Sequence, residues 1–353
     1  MYNHLMKDLW MHLKETNKPV ALYGTGNGAD KIIDKMIEDG SFEKIKAVFA
    51  SDGFVRKRTF RGFEVECYSD VKARLGDMIV LMCFGSSRPE VLENVIRISG
   101  ENEFYAPDVP VYGKEVFDSG YYEKNKALIE EASAMMEDDI SKLTFDCTVN
   151  YKISGDISYL TKCEVSKEDA DRLLSLPDDS TMIDLGAYIG DTVLWYTSLF
   201  PQIKHIIAVE PNPKTFKKLE SNTADFDIQP VNALISDTSG FATSDGGTGR
   251  GFHKVQATES ADNSIKTVTI DELSAGKKID FIKFDVEGSE LDAINGGINT
   301  IKKYHPSMQI ACYHRSDDIF AIPNLIKSID PTYKVYMRHL PYVPGWDTQF
   351  YFI

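Results

Sequence analysis

The residues best suited to chemistry lie in the second half of the chain. "TMIDLGAYIGDTVLWYTSLF", residues 181 to 200, places an acid, Asp184, just ahead of a turn that holds Gly186 and Gly190. Glycines let backbone N–H groups approach a ligand closely, and the start of the following helix, near Asp191, adds positive potential. Glu210 ends the next strand, "HIIAVEPNP", where an acid can accept hydrogen bonds from two ribose hydroxyls. Two further strands, "IQPVNALISD" and "IDFIKFDVEGSE", end in Asn232 with Ala233 and in Asp285. Strand tips of an open α/β sheet face the ligand crevice, so these positions converge.

The turn reads D-x-G-x-x-x-G rather than G-x-G-x-x-G. It has no glycine pair for a pyrophosphate, and the carboxylate of Asp184 repels phosphates while suiting an amino group. That chemistry favours S-adenosylmethionine, which carries an ammonium, a sulfonium and a ribose diol but no phosphate.

These residues need a parallel sheet behind them, and the chain alternates as such a sheet requires. In the first half "VALYG", "IKAVFASD" and "MIVLMCFGSS" read as three strands, with helices over "GADKIIDKMIEDG" and "RPEVLENVIRIS". Pro89 is suited to the first turn of the second helix. "EFYAPDVPVYG" closes the unit near Gly113. The fold class is therefore α/β with two Rossmann-like domains. An N-terminal domain spans residues 1–115, a Glu- and Ala-rich helical connector 116–178, and the domain with the acidic turn 179–353.

Bulk properties exclude several classes. A length of 353 residues allows two cores, and a net charge of -15 argues against a nucleic-acid surface, which needs clustered Lys and Arg. The five cysteines form no C-x-x-C pair and read as reduced thiols. No run of ~18 apolar residues offers a membrane span, and the N-terminus lacks the apolar core of a signal peptide, which predicts a cytoplasmic protein.

From about Asp146 onward the chain resembles the FkbM family of S-adenosylmethionine-dependent methyltransferases. The matching stretches are "IDLGAYIGDT", "AVEPNP", "VTIDEL", "IDFIKFDVEGSELDAINGG", "HPSMQIACYH" and "YKVYMRH". The resemblance implies a class I methyltransferase sheet of seven strands, with "TYKVYMRH" and "DTQFYFI" as an antiparallel terminal hairpin. It also implies S-adenosylmethionine as cofactor and O-methylation of a sugar or natural-product hydroxyl. With position, it assigns Asp184, Gly186 and Gly190, with Ala187 and Thr192 of the same turn, to the methionine portion. Glu210 then serves the ribose, with Asn212 counted beside it, and Asn232 and Ala233 lie near the adenine. Tyr188 departs from the pattern, standing where many relatives carry Asn.

Asp285 and Glu287 are candidates to orient or deprotonate an acceptor hydroxyl. Glu287 is equally placed to cap a helix starting near Gly288. His314, after the strand "MQIACY", is a candidate general base or a buried structural histidine. No cluster of oxygen ligands at a convincing spacing suggests a metal. The Gly- and Ser-rich stretch "SDGGTGRGFHKVQATES" reads as a loop beside the acceptor site or an ordinary surface connection.

The other glycine turn, "GTGNGA", fits G-x-G-x-x-A with Gly24, Gly26 and Ala29, and Asp52 ends the next strand. Three strands make only half a dinucleotide fold, and no dehydrogenase segment follows. This region resembles the small N-terminal domains of nucleotide-sugar acyltransferases, which implies a nucleotide-linked sugar at Gly24, Gly26 and Asp52; a scaffold role stands beside it. The reading is a methyltransferase acting on a saccharide or small-molecule acceptor, most simply on oxygen. N-methylation of an amino sugar and a non-catalytic nucleotide-sugar-binding protein are the alternatives.

Overall fold

Two mostly parallel sheets dominate the computed structural model, which describes residues 7–55, 58–243 and 264–353. The first sheet holds β1 (Val20–Tyr23), β2 (Ile45–Ala50), β3 (Thr59–Phe60), β4 (Phe63–Cys67), β5 (Ile79–Met82) and β6 (Glu103–Tyr105), in the order β3-β4-β2-β1-β5-β6. All four residues of β1 and of β5 are buried, as expected of strands covered on both faces. Their register is in step, Leu22 lying opposite Leu81 on one side and Val48 on the other. The helix Asn27–Glu38 covers this sheet with Ala29, Ile32, Ile33 and Met36, the i, i+3, i+4, i+7 stripe of an amphipathic helix. Pro89 opens the helix Pro89–Glu101.

The expectation of three strands is corrected here. The first unit has five parallel strands, which in chain order lie 3-2-1-4-5, with β3 as an antiparallel edge. β4 ("FEVEC") and β6 ("EFY") escape a reading by hydrophobic runs because they are short and only partly buried.

Helices Ser119–Ala134 and Asp139–Ser154 join the units, each capped by an aspartate, Asp118 on Tyr121 N and Asp138 on Ser141 N. Their Tyr122, Ile129, Ala132, Phe145, Val149 and Ile153 enter the core of the second sheet, while Tyr151 enters that of the first.

The second sheet consists of β7 (Ser180–Leu185), β8 (Ile203–Val209), β9 (Ile228–Val231), β13 (Phe281–Phe284), β14 (Ser307–Ala311), β15 (Val335–His339) and β16 (Thr348–Phe352). Between β9 and β13 lie three short strands, β10 (Leu234–Ile235), β11 (Gly240–Thr243) and β12 (Ser264–Val268), which form a small sheet of their own. The large sheet runs β9-β8-β7-β13-β14-β16-β15, with β16 antiparallel to both neighbours. This is the seven-stranded arrangement with an antiparallel hairpin implied by the resemblance. Its strand order reverses between β7 and β13, so the crevice for a ligand opens at their carboxyl ends. The stretch 244–260, read as a loop near the acceptor, lies outside the described residues.

The units also meet away from the helices. Ser86 and Val343 pair through two backbone hydrogen bonds, of 2.8 and 3.2 Å, and Val343 is part of the first sheet's core.

Candidate functional site

The crevice is built around a buried pair. Asp184, at the end of β7, is fully enclosed, and its Oδ1 lies 3.4 Å from Nζ of Lys283 on the adjacent strand β13. Their register partnership, Lys283 opposite Asp184, brings them together. Burial pushes the Asp184 carboxyl up, with Lys283 pulling against it. Burial alone would lower Lys283, but Asp184 and Asp285 outweigh it and hold the ammonium charged. Lys283 also donates 3.3 Å to the Gly186 carbonyl and lies 3.6 Å from Asp285 Oδ2. The amino group that Asp184 faces is thus supplied by the protein, a partner hidden in sequence because it stands 99 residues away.

Both glycines of the turn are in the left-handed region, and both are needed for packing. A Cβ on Gly186 would fall 1.9 Å from the Asp285 carbonyl oxygen, and one on Gly190 would fall 2.6 Å from Thr223 Cγ2. Gly190 opens the helix Asp191–Leu199, with Thr192 half-buried in its first turn and Ala187 wholly buried. Tyr188 has φ 47° and is 58 % exposed. Asn tolerates that backbone region better than Tyr does, which gives the departure at this position a physical cost.

Glu210 holds the turn against β8. Its Oε2 accepts from Tyr188 N at 3.1 Å and its Oε1 from Asn212 N at 2.8 Å. Burial raises its carboxyl above the usual range, while those two N–H bonds pull it down. A carboxylate oxygen can accept more than one bond, so acceptor capacity remains for a diol. Asn212 caps the helix Pro213–Asn222 through Lys214 N and Thr215 N. Asn232 donates to the carbonyls of Glu210 and Pro211, fixing the two strand ends side by side, and Ala233 is buried behind it.

Across β13 stands a second group of acids. The side chains of Asp285 and Glu287 are 37 % and 36 % exposed, against 1 % for His314 beneath them. His314 Nε2 lies 3.4 Å from Asp285 Oδ1 and 3.9 Å from Glu287 Oε2, and its Nδ1 lies 2.8 Å from Glu290 Oε1. Tyr313 donates its hydroxyl to Asp285 at 3.2 Å. Burial pushes Asp285 up, but Lys283 and His314 outweigh it and keep the carboxylate ionised. Burial likewise disfavours a charged His314, yet Glu290, Asp285 and Glu287 prevail and raise it to about 10. An imidazole held protonated in this way is poorly suited to accept a further proton at neutral pH.

Glu287 is not the N-cap residue of the next helix. That helix is Glu290–Asn295, its N-cap Ser289 makes no side-chain bond, and Glu290 Oε1 accepts from Val286 N at 3.0 Å. Glu287 instead sits at φ 55°, a strained conformation that aims it into the acid group. Sequence reasoning missed Glu290 and Asp318. Together with His314 they form a buried trio whose ligand-type atoms lie within 4.8 Å of one another, although no local spacing reveals it. Burial, with Glu290 close by, lifts the Asp318 carboxyl to about 8, so it holds its proton at neutral pH.

At the N-terminal turn, Gly24 and Gly26 both have positive φ. A Cβ on Gly24 would strike the Phe84 ring at 2.5 Å, whereas nothing lies within 4 Å of one on Gly26. Asp52 accepts from Ser69 N and Oγ at 3.1 and 3.2 Å. Lys31 points away from the turn, donating to the carbonyls of Pro110 and Val111. Arg58 reaches the Thr25 hydroxyl, bringing the turn a basic group that its own sequence lacks.

The profile of the methyltransferase FkbM domain matches residues 184–339, from the buried Asp184 to the end of β15. Over those residues the chain is similar to the methyltransferases of the FkbM family. Hexuronic acid methyltransferase AglP of Haloferax volcanii is 30% identical over 145 residues, which make up 38% of this chain and 58% of that protein. The crystal structure of methyltransferase FkbM from Methylobacillus flagellatus KT has a TM-score of 0.70 at 19% identity, covering 98% of this chain and 92% of that one. That likeness is one of fold, and it extends over both sheets. S-adenosylmethionine is the cofactor that this site fits, with a strand-end acid of spare acceptor capacity in Glu210 and a helix start at Gly190. Among the described residues no helix is long and apolar enough to cross a membrane.

Proposed function

We propose that this FkbM domain transfers the methyl group of S-adenosylmethionine to a hydroxyl oxygen of a saccharide. The observation that carries the reading is the placement, at the carboxyl ends of the strands on either side of β7, of the Glu210 carboxylate after β8 and the half-open acids Asp285 and Glu287 after β13. When bound, the donor supplies an already activated methyl on its sulfonium. The protein's task is then alignment and removal of one proton. Glu210, with the backbone fixed by Asn212, holds the ribose, and Asn232 and Ala233 shape the adenine end. The turn from Gly186 through Ala187 and Gly190 to Thr192 cradles the methionine end, with Asp184 acting through Lys283 beneath it. Asp285 faces the sulfonium, Glu287 takes the hydroxyl proton, and His314 keeps both acids in place.

AglP, by its name, acts on hexuronic acid, which favours a sugar acceptor here. The N-terminal unit serves that acceptor: its 3-2-1-4-5 strand order opens a crevice at Gly24 and Gly26, and the open space at Gly26 suits a nucleotide-linked sugar. Incubating the full chain with methyl-labelled donor and a panel of neutral, amino and acidic sugars tests the reading. Label in an alkali-stable ether supports it. Label only on amino sugars would shift it to N-methylation, and no donor binding by calorimetry would overturn it.

A further inference from the structure

Arg315 follows His314 directly and is half-buried, yet it enters no ion pair among the described residues. That is unusual in a chain of net charge -15, where Lys283 and His314 nearby each face several carboxylates. A cation withdrawn from water is ordinarily matched by an anion.

The guanidinium is also held still. Its Nε donates 2.6 Å to the Gly288 carbonyl, and its carbon centre lies 4.0 Å from the Tyr112 ring centroid. Tyr112 is fixed in turn, its N donating 2.8 Å to the His314 carbonyl. Gly288 makes room for the ring, since a Cβ there would fall 2.6 Å from Tyr112 Cβ. Of the five N–H donors of arginine one is committed to Gly288, and the others form a fork that matches two oxygens of a carboxylate or phosphate.

We propose that Arg315 is an anion-recognition residue of the acceptor site, holding a carboxylate or phosphate of an acidic saccharide beside the reacting hydroxyl. The inference rests on the methyl-transfer reading and names the acceptor's class. Gly288 follows Glu287 and Arg315 follows His314, so an anion on the fork sits next to the acids that handle the hydroxyl. The donor's own carboxylate is the competing occupant, and the S-adenosylhomocysteine affinity of an Arg315 variant distinguishes the two. Orientation of the fork precedes binding, so little side-chain freedom is lost when the anion arrives. Tyr112 comes from the segment after the first sheet, which makes the N-terminal unit a contributor to acceptor recognition.

The test is calorimetry on the full chain saturated with S-adenosylhomocysteine, using methyl glucuronoside, glucose 1-phosphate and methyl glucoside as probes. The wild type should bind one or both anionic probes about tenfold or more tightly than methyl glucoside, and the two anions separate carboxylate from phosphate. Arg315→Gln should erase that preference while leaving S-adenosylhomocysteine affinity within about twofold. Equal or absent binding of all three probes by the wild type overturns the proposal, whether or not the variant folds. So does a preference that survives Arg315→Gln, or a loss of S-adenosylhomocysteine affinity in that variant. If the wild type fails to bind S-adenosylhomocysteine, the methyl-transfer reading fails instead, and the sugar probes still report on Arg315.

Discussion

Lys283 Nζ lies 3.4 Å from Asp184 Oδ1, and both side chains are almost wholly removed from solvent. Neither Asp184 oxygen has another hydrogen-bond partner. Lys283→Met should therefore strand a buried carboxylate and cost about 3–5 kcal/mol in denaturant unfolding. Adding Asp184→Leu should recover most of that loss. A single variant with wild-type stability would show that the pair contributes nothing to the fold.

Glu210→Ala should weaken binding of S-adenosylmethionine by about 1.5–3 kcal/mol, the scale for hydrogen bonds to a charged group. Calorimetry on the full chain measures it. Unchanged affinity would leave Glu210 a tie between the Tyr188 and Asn212 backbones only.

The pH profile of turnover separates a carboxylate base from an imidazole. His314 keeps its proton up to about 10, so kcat should show no rising limb near pH 6.5. Glu287→Gln should lower kcat by about 10²–10⁴ with donor affinity unchanged. A limb at pH 6–7 that disappears in His314→Gln would return the base role to the histidine.

Stability should fall as pH rises. Asp318 has its carboxyl raised from 3.8 to about 8, so its folded state holds a proton that the unfolded chain releases. Its contribution is complete below pH 3.8 and is lost by the time pH passes 8. The raised His314 extends the decline from 6.5 to about 10. Asp318→Asn should flatten the slope of Tm between pH 5 and 8, as read by calorimetric melting, with little change at pH 4. A slope equal to that of the wild type would show that Asp318 does not hold the proton.

What the sequence revealed follows from the kind of signal each residue leaves. Asp184, Gly186, Gly190 and Glu210 sit at ends of strong apolar runs, where local pattern and position coincide, and the terminal hairpin is equally plain. Lys283 was hidden inside the run "IDFIKFD", because a buried lysine reads as an interruption until its partner on the next strand is known. Glu290 and Asp318 meet His314 only through tertiary packing, and the charge state of His314 follows from that meeting rather than from its type. β4 and β6 were lost for a plainer reason, being half-buried and short.

The Ser86–Val343 pairing sets how the two halves behave as matter. The connection between β15 and β16 carries Val343 into the first sheet's core, presses Trp346 onto Gly85, where a Cβ would come within 2.6 Å, and lays Gly345 against the Tyr151 ring. A cut near residue 115 would sever one covalent link but tear open an apolar joint made by residues more than 200 positions further on. Such a joint transmits unfolding in both directions, so the chain should melt in a single cooperative transition.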